Sequence, residues 1–475
     1  ITHPNGFTSV YGHLDHFSPE IAQLVRQEQF RQKRFDVDFN LLPLQMPVYK
    51  GQVFAWSGNT GATGGPHLHF ELRDTETQET INAQLFGLVI PDKVPPTISG
   101  VSIYHINGRP FDEHTPRQSL AVRGSAGHYH LLRPQVIHLS GQLGFGISAI
   151  DHSSASANRM GVYSIELIVD GKTMFTYSVE RFAFDQTHAI NAYIDYPYFI
   201  RTGGFIQKCF ILPGSHITLY PQSVNRGLVY FNDNALHDVE LVVKDVAGNT
   251  SVLKLKVQSA VPKDTPVFNP TGTLFHYDRR NELSRDGMKL IIDPGNLYDD
   301  LDFQYSASPK RAGAWSALYH LQNRYTPVHD TIEVWIKPDA ALGRLADKAV
   351  VYNTYSGACS SEFADGYVKG KATTFGDFEI RIDTVPPVIR PVNIHSGSNM
   401  AKAKAILLRM SDNLSGVKSF SGSVDGDWVL VEHNYKSKIL SYTFSPELKP
   451  GKHTFEFTAV DYKNNSSTYT ATFYR

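Results

Sequence analysis

The hydrophobic pattern of the chain changes near residue 92. Before that point, two strand-like runs of aromatic and β-branched residues, FTSVYGHL and YKGQVFAWSG, flank a polar segment that carries an apolar stripe. The stripe consists of Ile21, Leu24 and Val25. Its spacing, with Ser18 placed as a cap and Pro19 at the first helical position, predicts a helix of about four turns. We therefore expect residues 1–92 to form one β domain with a helical insertion over about 18–47.

Beyond residue 92 the chain consists of short alternating runs separated by turn residues, and three blocks of it occur twice in the same order. The pairs are DKVPPTISGVSIY (92–104) with DTVPPVIRPVNIH (383–395), GVYSIELIVDG (161–171) with GVKSFSGSVDG (416–426), and HDVELVVKDVAGN (237–249) with HTFEFTAVDYKNN (453–465). Alternation in the last pair gives each strand one buried and one solvated face. These blocks predict a duplicated β-sandwich.

The repeats predict two β-sandwich domains after the first domain, and strand-like runs between them favour a third β-sandwich over a small catalytic domain. Their boundaries are residues 93–261, with an insertion over about 180–236, then 262–383 and 384–475. The repeated units resemble immunoglobulin-like modules of bacterial surface and envelope proteins, in which D-x-x-G-N often precedes the last strand. The predicted fold class is therefore mainly β throughout.

Two matched sets of polar residues lie in the repeats. His237 and His453 occupy corresponding places, which suggests a packing or turn role. The pairs Asp245 with Asn249 and Asp461 with Asn465 could bind calcium through oxygen ligands. Such residues more often form turns in which the side chain bonds its own backbone, and we favour that interpretation. The sequence leaves both roles open.

Composition excludes several classes of function. The 475 residues carry a formal charge of −1, so the chain has no basic field that would hold nucleic acid. No apolar run approaches the roughly 18 residues that a membrane helix needs. Two cysteines, Cys209 and Cys359, exclude a disulfide framework. Because the chain lacks an initiator Met, we expect further sequence, including a signal peptide, upstream of Ile1.

Candidate chemistry lies in SGNTGATGGPHLHFELRD, residues 57–74. On a strand, His67 and His69 would point to the same face, while Leu68 and Phe70 would point to the other. An H-x-H pair alone is weak evidence for a site, because most such histidines are ordinary packed or surface residues. His13, in SVYGHL, lies on another strand-like run and adds a third imidazole.

Residues 1 to about 90 resemble the lysostaphin-like (LytM-type) zinc endopeptidases, which cut the peptide part of bacterial peptidoglycan. The shared motifs are YGHL, KGQVF, SGNTG and GPHLHFE, in that order. The resemblance implies an antiparallel β metallopeptidase domain with a duplicated hybrid motif. It also implies that His69 is a zinc ligand and that His13 and His67 are unligated catalytic residues. These two would orient and deprotonate the attacking water and stabilise the oxyanion.

The family takes two further zinc ligands, a His and an Asp about four residues apart, from strands that precede YGHL. We expect those ligands upstream of Ile1. Asp15 and Glu71 are possible substitutes, and Glu71 would share the face of the two histidines. A carboxylate in that position more often pairs with a nearby cation such as Arg73. The helical insertion is either a solvated addition or a lid beside the groove.

The sequence thus predicts a zinc-dependent peptidoglycan endopeptidase of the cell envelope, periplasmic or exported. Its β-sandwich modules would position the enzyme or bind other envelope proteins or glycans. One alternative is a metal-free LytM-type regulator that activates a separate hydrolase. Another is a surface-binding or adhesion protein. The three retained histidines favour the enzyme.

Overall fold

The computed structural model describes residues 1–154, 156, 158–262 and 267–475. The chain forms two compact units. The first contains residues 1–71, 341–350 and 381–475, and the second contains residues 72–340 and 351–380. Both units consist mainly of β-strands, as the sequence predicts. In the described part of the chain, no helix is long and apolar enough to cross a membrane.

The N-terminal region forms short strands around one helix. Its strands are β1 (Phe7–Gly12), β2 (Leu14–Phe17), β3 (Ala55–Ser57), β4 (His69–Asp74) and β5 (Thr80–Ile81). β1 pairs with β4, and β2 pairs with β3 in antiparallel register. In the second unit, the end of β4 pairs with β5, and β5 pairs with a short strand of the first repeat, β13 (Arg181–Phe182).

Helix α1 (Pro19–Gln32) confirms the predicted helix of about four turns. Pro19 lies at its first position, but the side chain of Ser18 makes no capping hydrogen bond. The predicted cap is therefore wrong in this detail: the backbone carbonyl of Ser18 accepts from Ala22, and its amide donates to Phe54. The predicted apolar stripe is half-buried, whereas the rest of the helix is largely exposed.

The first repeat forms one continuous path of strands. The remaining strands are β6 (Thr97–His105), β7 (Arg117–Ser125), β8 (His128–Leu131), β9 (Val136–Leu139), β10 (Gly141–Ile150), β11 (Ser164–Val169), β12 (Lys172–Ser178), β14 (Gln207–Lys208), β15 (Gln222–Ser223), β16 (Val229–Phe231), β17 (Leu236–Lys244) and β18 (Thr250–Ser259). Their order is β14-β10-β6-β7-β8-β18-β17-β11-β12-β15, with β16 beside β10 and β9 beside β18. The predicted insertion contains helices α2 (Ile190–Tyr193) and α3 (Tyr196–Thr202).

The region between the repeats contains two five-stranded sheets. Its strands are β19 (Thr273–Phe275), β20 (Asn281–Arg285), β21 (Met288–Ile292), β22 (Leu301–Phe303), β23 (Tyr305–Ser308), β24 (Leu318–Leu321), β25 (Ile332–Ile336), β26 (Ala349–Asn353), β27 (Gly357–Ala358), β28 (Ser360–Ala364), β29 (Tyr367–Ala372) and β30 (Gly376–Ile382). The sheets are β20-β21-β25-β29-β28 and β23-β24-β30-β26-β27, with β19 and β22 paired separately. Gly370 and Val351 lie so close that a Cβ at Gly370 would lie 2.5 Å from the Val351 Cβ. The two sheets therefore pack face to face.

The second repeat is a sandwich of two sheets around an aromatic core. Its strands are β31 (Val388–Pro391), β32 (Ser398–Asn399), β33 (Ala405–Ser411), β34 (Val417–Val424), β35 (Asp427–Val429), β36 (Glu432–Asn434), β37 (Ile439–Thr443), β38 (Lys452–Asp461) and β39 (Ser466–Tyr474). The sheets are β31-β33-β37-β36 and β32-β39-β38-β34-β35. Leu440 of one sheet shares a buried cluster with Phe457 and Phe473 of the other. The alternation predicted for HTFEFTAVDY is confirmed by its burial.

Matched hairpins show how closely the two repeats correspond. In the first repeat, Asp170 and Gly171 form the turn between β11 and β12 with positive φ angles, which suits an Asp-Gly pair. Asp170 accepts from His237 Nδ1 at 2.6 Å. In the second repeat, Asp425 accepts from His453 Nδ1 at the same distance. The two repeated histidines thus hold equivalent hairpin turns.

Candidate histidine site

The structure brings the three predicted histidines together. The ring centroid of His13 lies 4.8 Å from that of His67 and 5.6 Å from that of His69. His13 is half-buried, and the other two side chains are exposed. The cluster therefore opens to solvent, where a substrate can reach it. We call these three residues the histidine cluster.

Two of these histidines are not placed as the strand pattern predicts. His13 lies between β1 and β2 with φ of 58°, in the left-handed region that a non-glycine residue seldom adopts. His67 precedes β4 and makes an isolated bridge, in which its amide donates to Gly58 O at 3.1 Å. Only His69 belongs to a regular strand. The left-handed backbone at His13 interrupts the strand and turns the chain at the cluster. Backbone strain of this kind is often found at functional sites.

Hydrogen bonds indicate which ring nitrogen carries the proton in each of the three histidines. His13 Nδ1 lies 2.8 Å from Thr60 O, and His67 Nδ1 lies 2.9 Å from Gly65 O. Because a carbonyl can only accept, both rings carry their proton on Nδ1 when neutral, and Nε2 carries the lone pair. His69 instead places Nε2 2.6 Å from Glu71 Oε1, so its lone pair lies on Nδ1. The cluster thus contains two rings of one tautomer and one of the other.

Glu71 is the acidic neighbour of the cluster. Its side chain is 13% exposed, compared with 45% for His69, so the carboxylate supports the ring from the protein side. A histidine that ligates a metal usually donates its other ring N–H to such a carboxylate. Arg73, the cation considered from the sequence as a partner for Glu71, lies with its guanidinium carbon 4.6 Å from the ring centroid of Phe184. Asp15, the other acidic candidate, bonds His16 at 2.7 Å.

One glycine of YGHL and one of SGNTG lie in close contact with residues at or beside the histidine cluster. A Cβ at Gly58 would lie 2.5 Å from the backbone nitrogen of Asp15, where β2 carries a register shift. A Cβ at Gly12 would lie 3.1 Å from the Cβ of His69. Thr60 donates its hydroxyl to Leu14 O at 2.9 Å, which fixes the carbonyl that holds His13. These contacts explain why YGHL and SGNT occur together near the site.

The turn after β36 also reaches this loop within the first unit. Lys436 Nζ donates to Asn59 Oδ1, and Thr63 donates its hydroxyl to the same oxygen at 2.9 Å. Tyr435 donates its hydroxyl to Asp36 Oδ2 at 3.1 Å, just beyond helix α1. The second repeat therefore contributes side chains to the rim of the candidate site, and nothing in the sequence indicated this contact.

The described residues offer a zinc ion one ligand with the expected environment. His69 Nδ1 fits that role because Glu71 holds the opposite nitrogen. A catalytic zinc takes three protein ligands, and the histidine cluster is not among the groups of three or more ligand atoms found in the described chain. Those groups are two aspartate triads in the repeats, and the sequence alone did not indicate that their members lie together.

Comparisons with known proteins give limited matches. Residues 272–383 match the model of the Zu5-like domain. No curated protein matches the chain. SGBP-B of the Bacteroides ovatus mixed-linkage glucan utilization locus, solved with a mixed-linkage heptasaccharide, is 11% identical, with a TM-score of 0.13. The alignment covers 72% of this chain and 66% of that one.

Other solved structures are equally distant. A 1.5-MDa bacterial ice-binding adhesin, described for host cell surface retention, is 9% identical over 72% of this chain and 93% of that one, with a TM-score of 0.14. Dimeric latent PorU from Porphyromonas gingivalis is 10% identical over 80% of this chain and 34% of that one, with a TM-score of 0.15. At such TM-scores these likenesses support no inference for this chain.

Proposed function

We propose that the chain is part of a zinc-dependent endopeptidase of the cell envelope that cleaves peptide bonds of peptidoglycan. In this proposal residues 1–92 form a LytM-type domain, and the later residues form immunoglobulin-like β-sandwich modules that position the enzyme or bind envelope partners. The observation that carries the proposal is the hydrogen bonding of the histidine cluster, in which each ring has one nitrogen bonded to the protein. Unrelated surface histidines have no reason to place two rings within 6 Å of His13, with two rings held at Nδ1 by carbonyls and the third held at Nε2 by a carboxylate.

Each histidine has a distinct role in the proposal. His69 holds the zinc through Nδ1, with Glu71 fixing the ring. The bound zinc supplies Lewis acidity to the scissile carbonyl. His67 and His13 each present Nε2 as a proton acceptor, because their Nδ1 protons are committed to backbone carbonyls. Once protonated, either ring can steady negative charge that develops on the carbonyl oxygen.

The metal requires two more ligands, which we expect from residues preceding Ile1 in the full-length protein. Residues 1–475 alone should bind zinc weakly, whereas the full-length protein should bind about one zinc per chain. Elemental analysis of both proteins after identical dialysis measures this. Stoichiometric zinc on residues 1–475 would mean that Asp15, Glu71 or another group supplies the missing ligands, and our ligand assignment would be wrong.

Activity is tested on the full-length protein with purified peptidoglycan, by chromatography of released muropeptides. His67→Ala and His13→Ala should each lower the rate roughly 10²–10³-fold while zinc is retained. His69→Ala should lose activity and zinc together, because a ligand is removed. Exposed His114 offers a matched control, and His114→Ala should keep both.

Two outcomes contradict parts of the proposal. If His67→Ala loses zinc and His69→Ala keeps it, the assigned roles are reversed. If the unmutated full-length protein cuts no peptidoglycan peptide, it is not the proposed enzyme. Stimulation of a separate hydrolase by that inactive protein would then support the metal-free regulator.

A further inference from the structure

Three aspartates from separate parts of the first repeat meet at one point. Asp92 precedes β6, Asp151 follows β10 and Asp245 follows β17. One carboxylate oxygen of each lies within 4.8 Å of the other two. The same three side chains line a cavity that Tyr163 also borders. We call this group the first triad.

The second repeat contains the same arrangement. Asp383 precedes β31, Asp412 follows β33 and Asp461 ends β38, and their oxygens also lie within 4.8 Å of one another. We call this group the second triad. Two of its members match members of the first triad in the repeated blocks of sequence. Among the described residues, these triads are the two groups of three or more potential ligands within that distance.

Buried carboxylate oxygens without a partner point to a missing ligand. Asp383 is 0% exposed and Asp151 is 5% exposed. In each of these residues and in Asp412, atom Oδ1 is buried without a hydrogen-bond partner among the described residues. An unsatisfied buried oxygen is costly, and a buried negative charge is more costly still. A cation placed among the three carboxylates would remove both costs.

Electrostatic repulsion in the first triad also favours a bound cation. Burial raises the pKa of the Asp151 carboxyl, and the negative charges of Asp245 and Asp92 raise it further. The negative charges of the three carboxylates therefore repel one another. Repulsion of this kind is relieved when a multivalent cation binds them together.

The turn interpretation is also correct, and it is compatible with a cation. The backbone N–H of Asn249 donates to Asp245 Oδ1 at 2.8 Å, and the side-chain amide of Asn249 donates to Oδ2 at 2.6 Å. Asn465 makes the same two bonds to Asp461, at 2.8 and 2.7 Å. An ionised carboxylate has about four lone-pair positions, so these bonds leave positions for a metal. They also fix the orientation of the carboxylates, as outer-shell bonds do in metal sites.

We propose that each repeat binds one calcium ion through its aspartate triad. Ligands that are all oxygen select hard divalent cations. Two oxygens that bind the same calcium ion at about 2.4 Å are at most about 4.8 Å apart, and the three oxygens of each triad lie within that distance of one another. Magnesium requires near-ideal octahedral geometry at about 2.0–2.1 Å and loses its waters reluctantly, so calcium suits a site built from protein carboxylates better. Water or backbone oxygens complete the six to eight ligands that calcium takes.

The test measures calcium binding to calcium-free protein by titration calorimetry, with magnesium as the competing probe. The unmutated chain should bind about two calcium ions, one per triad. Asp151→Asn and Asp412→Asn should each remove one ion, and the double variant should bind none. The variant Asp286→Asn alters an exposed Asp-Gly turn outside both triads, so it should keep both ions.

Thermal unfolding gives a second readout. Calcium should raise the Tm of the unmutated protein and of Asp286→Asn, and should leave the Tm of the double variant unchanged. Without calcium, the Asn variants should unfold no earlier than the unmutated protein, because each loses one repelling charge. If either Asn variant fails to fold, Asp92→Asn and Asp383→Asn test the same triads. Unchanged stoichiometry in the variants, or a Tm of the unmutated protein insensitive to calcium, would overturn the proposal.

Discussion

Glu71 determines which nitrogen of His69 can act, although Glu71 itself does not face the open side of the cluster. Its carboxylate accepts from Nε2 at 2.6 Å, so in the neutral ring the proton lies on Nε2 and the lone pair on Nδ1. Without this acceptor, the neutral ring could adopt either tautomer and could rotate. The ligand role proposed for His69 therefore depends on Glu71 as a positioning residue.

The variant Glu71→Gln tests that dependence. The zinc affinity of the full-length protein should fall roughly 10–100-fold, the usual effect of losing an outer-shell carboxylate. A competition titration with a zinc chelator measures the affinity directly. Glu76→Gln, an exposed neighbour in the turn after β4, should leave it unchanged. Equal affinities for the Glu71 and Glu76 variants would show that His69 needs no support from Glu71.

At the residue scale, local periodicity predicted where some of the functional side chains lie and missed the positions of others. It placed His67 and His69 on one side, and the structure brings both rings close to His13. It missed the left-handed backbone of His13, because no local pattern marks that break. It also missed Asp151 and Asp412, which lie at unequal distances from the repeated blocks and meet their partners only through the sandwich fold.

At the scale of elements, the pairing of β2 with β3 depends on a glycine. Gly58 follows β3 and faces the register shift at Asp15, with no space for a Cβ. Gly58→Ala should therefore force the two strands apart and lower stability by roughly 1–3 kcal/mol. Hydrogen exchange of the β2 and β3 amides measures the local loss. Gly64→Ala is the matched control, because no atom lies within 4 Å of a Cβ there. Equal effects of the two substitutions would contradict the packing argument.

The hairpin histidines should make stability depend on pH. A hydrogen bond to Asp425 raises the pKa of His453 above its usual 6.5. A histidine whose pKa is raised in the folded state stabilises the folded protein fully below about pH 6.5, the pKa of the unfolded state. This stabilisation is lost as the pH rises through the pKa of the folded state. The Tm of the unmutated protein should therefore fall between about pH 6 and 8 by more than that of His453→Ala.

Asp425→Asn supplies the matched control for this experiment. It keeps a turn residue suited to positive φ but removes the charge that His453 contacts. It should reduce the pH dependence as much as His453→Ala does. A slope of Tm against pH that neither substitution changes would rule out this pair as the cause.

Elements with strong local signals were predictable, and their assembly was not. Helix α1 follows from its proline and apolar stripe, and β38 follows from its alternation. The strand path of the first repeat includes parallel pairings of β18 with β8 and β9. Such pairings join residues more than a hundred positions apart, and neither periodicity nor turn chemistry specifies them.

At the scale of the whole molecule, the N-terminal region has little core of its own. Among residues 1–92, all of which the structure describes, Ile81 is the fully buried hydrophobic side chain, and it belongs to the second unit. Leu68, just before β4, and Phe70, within it, remain more than a third exposed. Residues 1–71 must therefore gain stability from the second repeat, with which they form one compact unit.

The contact of Phe30 with Trp428 gives this dependence a measurable form. Their ring centroids lie 5.2 Å apart in an edge-to-face arrangement, which joins helix α1 to β35. In a double-mutant cycle of Phe30→Ala and Trp428→Ala, the two residues should couple by about 0.5–1.5 kcal/mol. The free energy of local opening, from native-state hydrogen exchange of the α1 amides, is the appropriate measurement because a chain of this size need not unfold in two states. Tyr462→Ala, an exposed aromatic of the same unit, should combine additively with Phe30→Ala. Additivity in both cycles would mean that the contact of Phe30 with Trp428 does not stabilise helix α1.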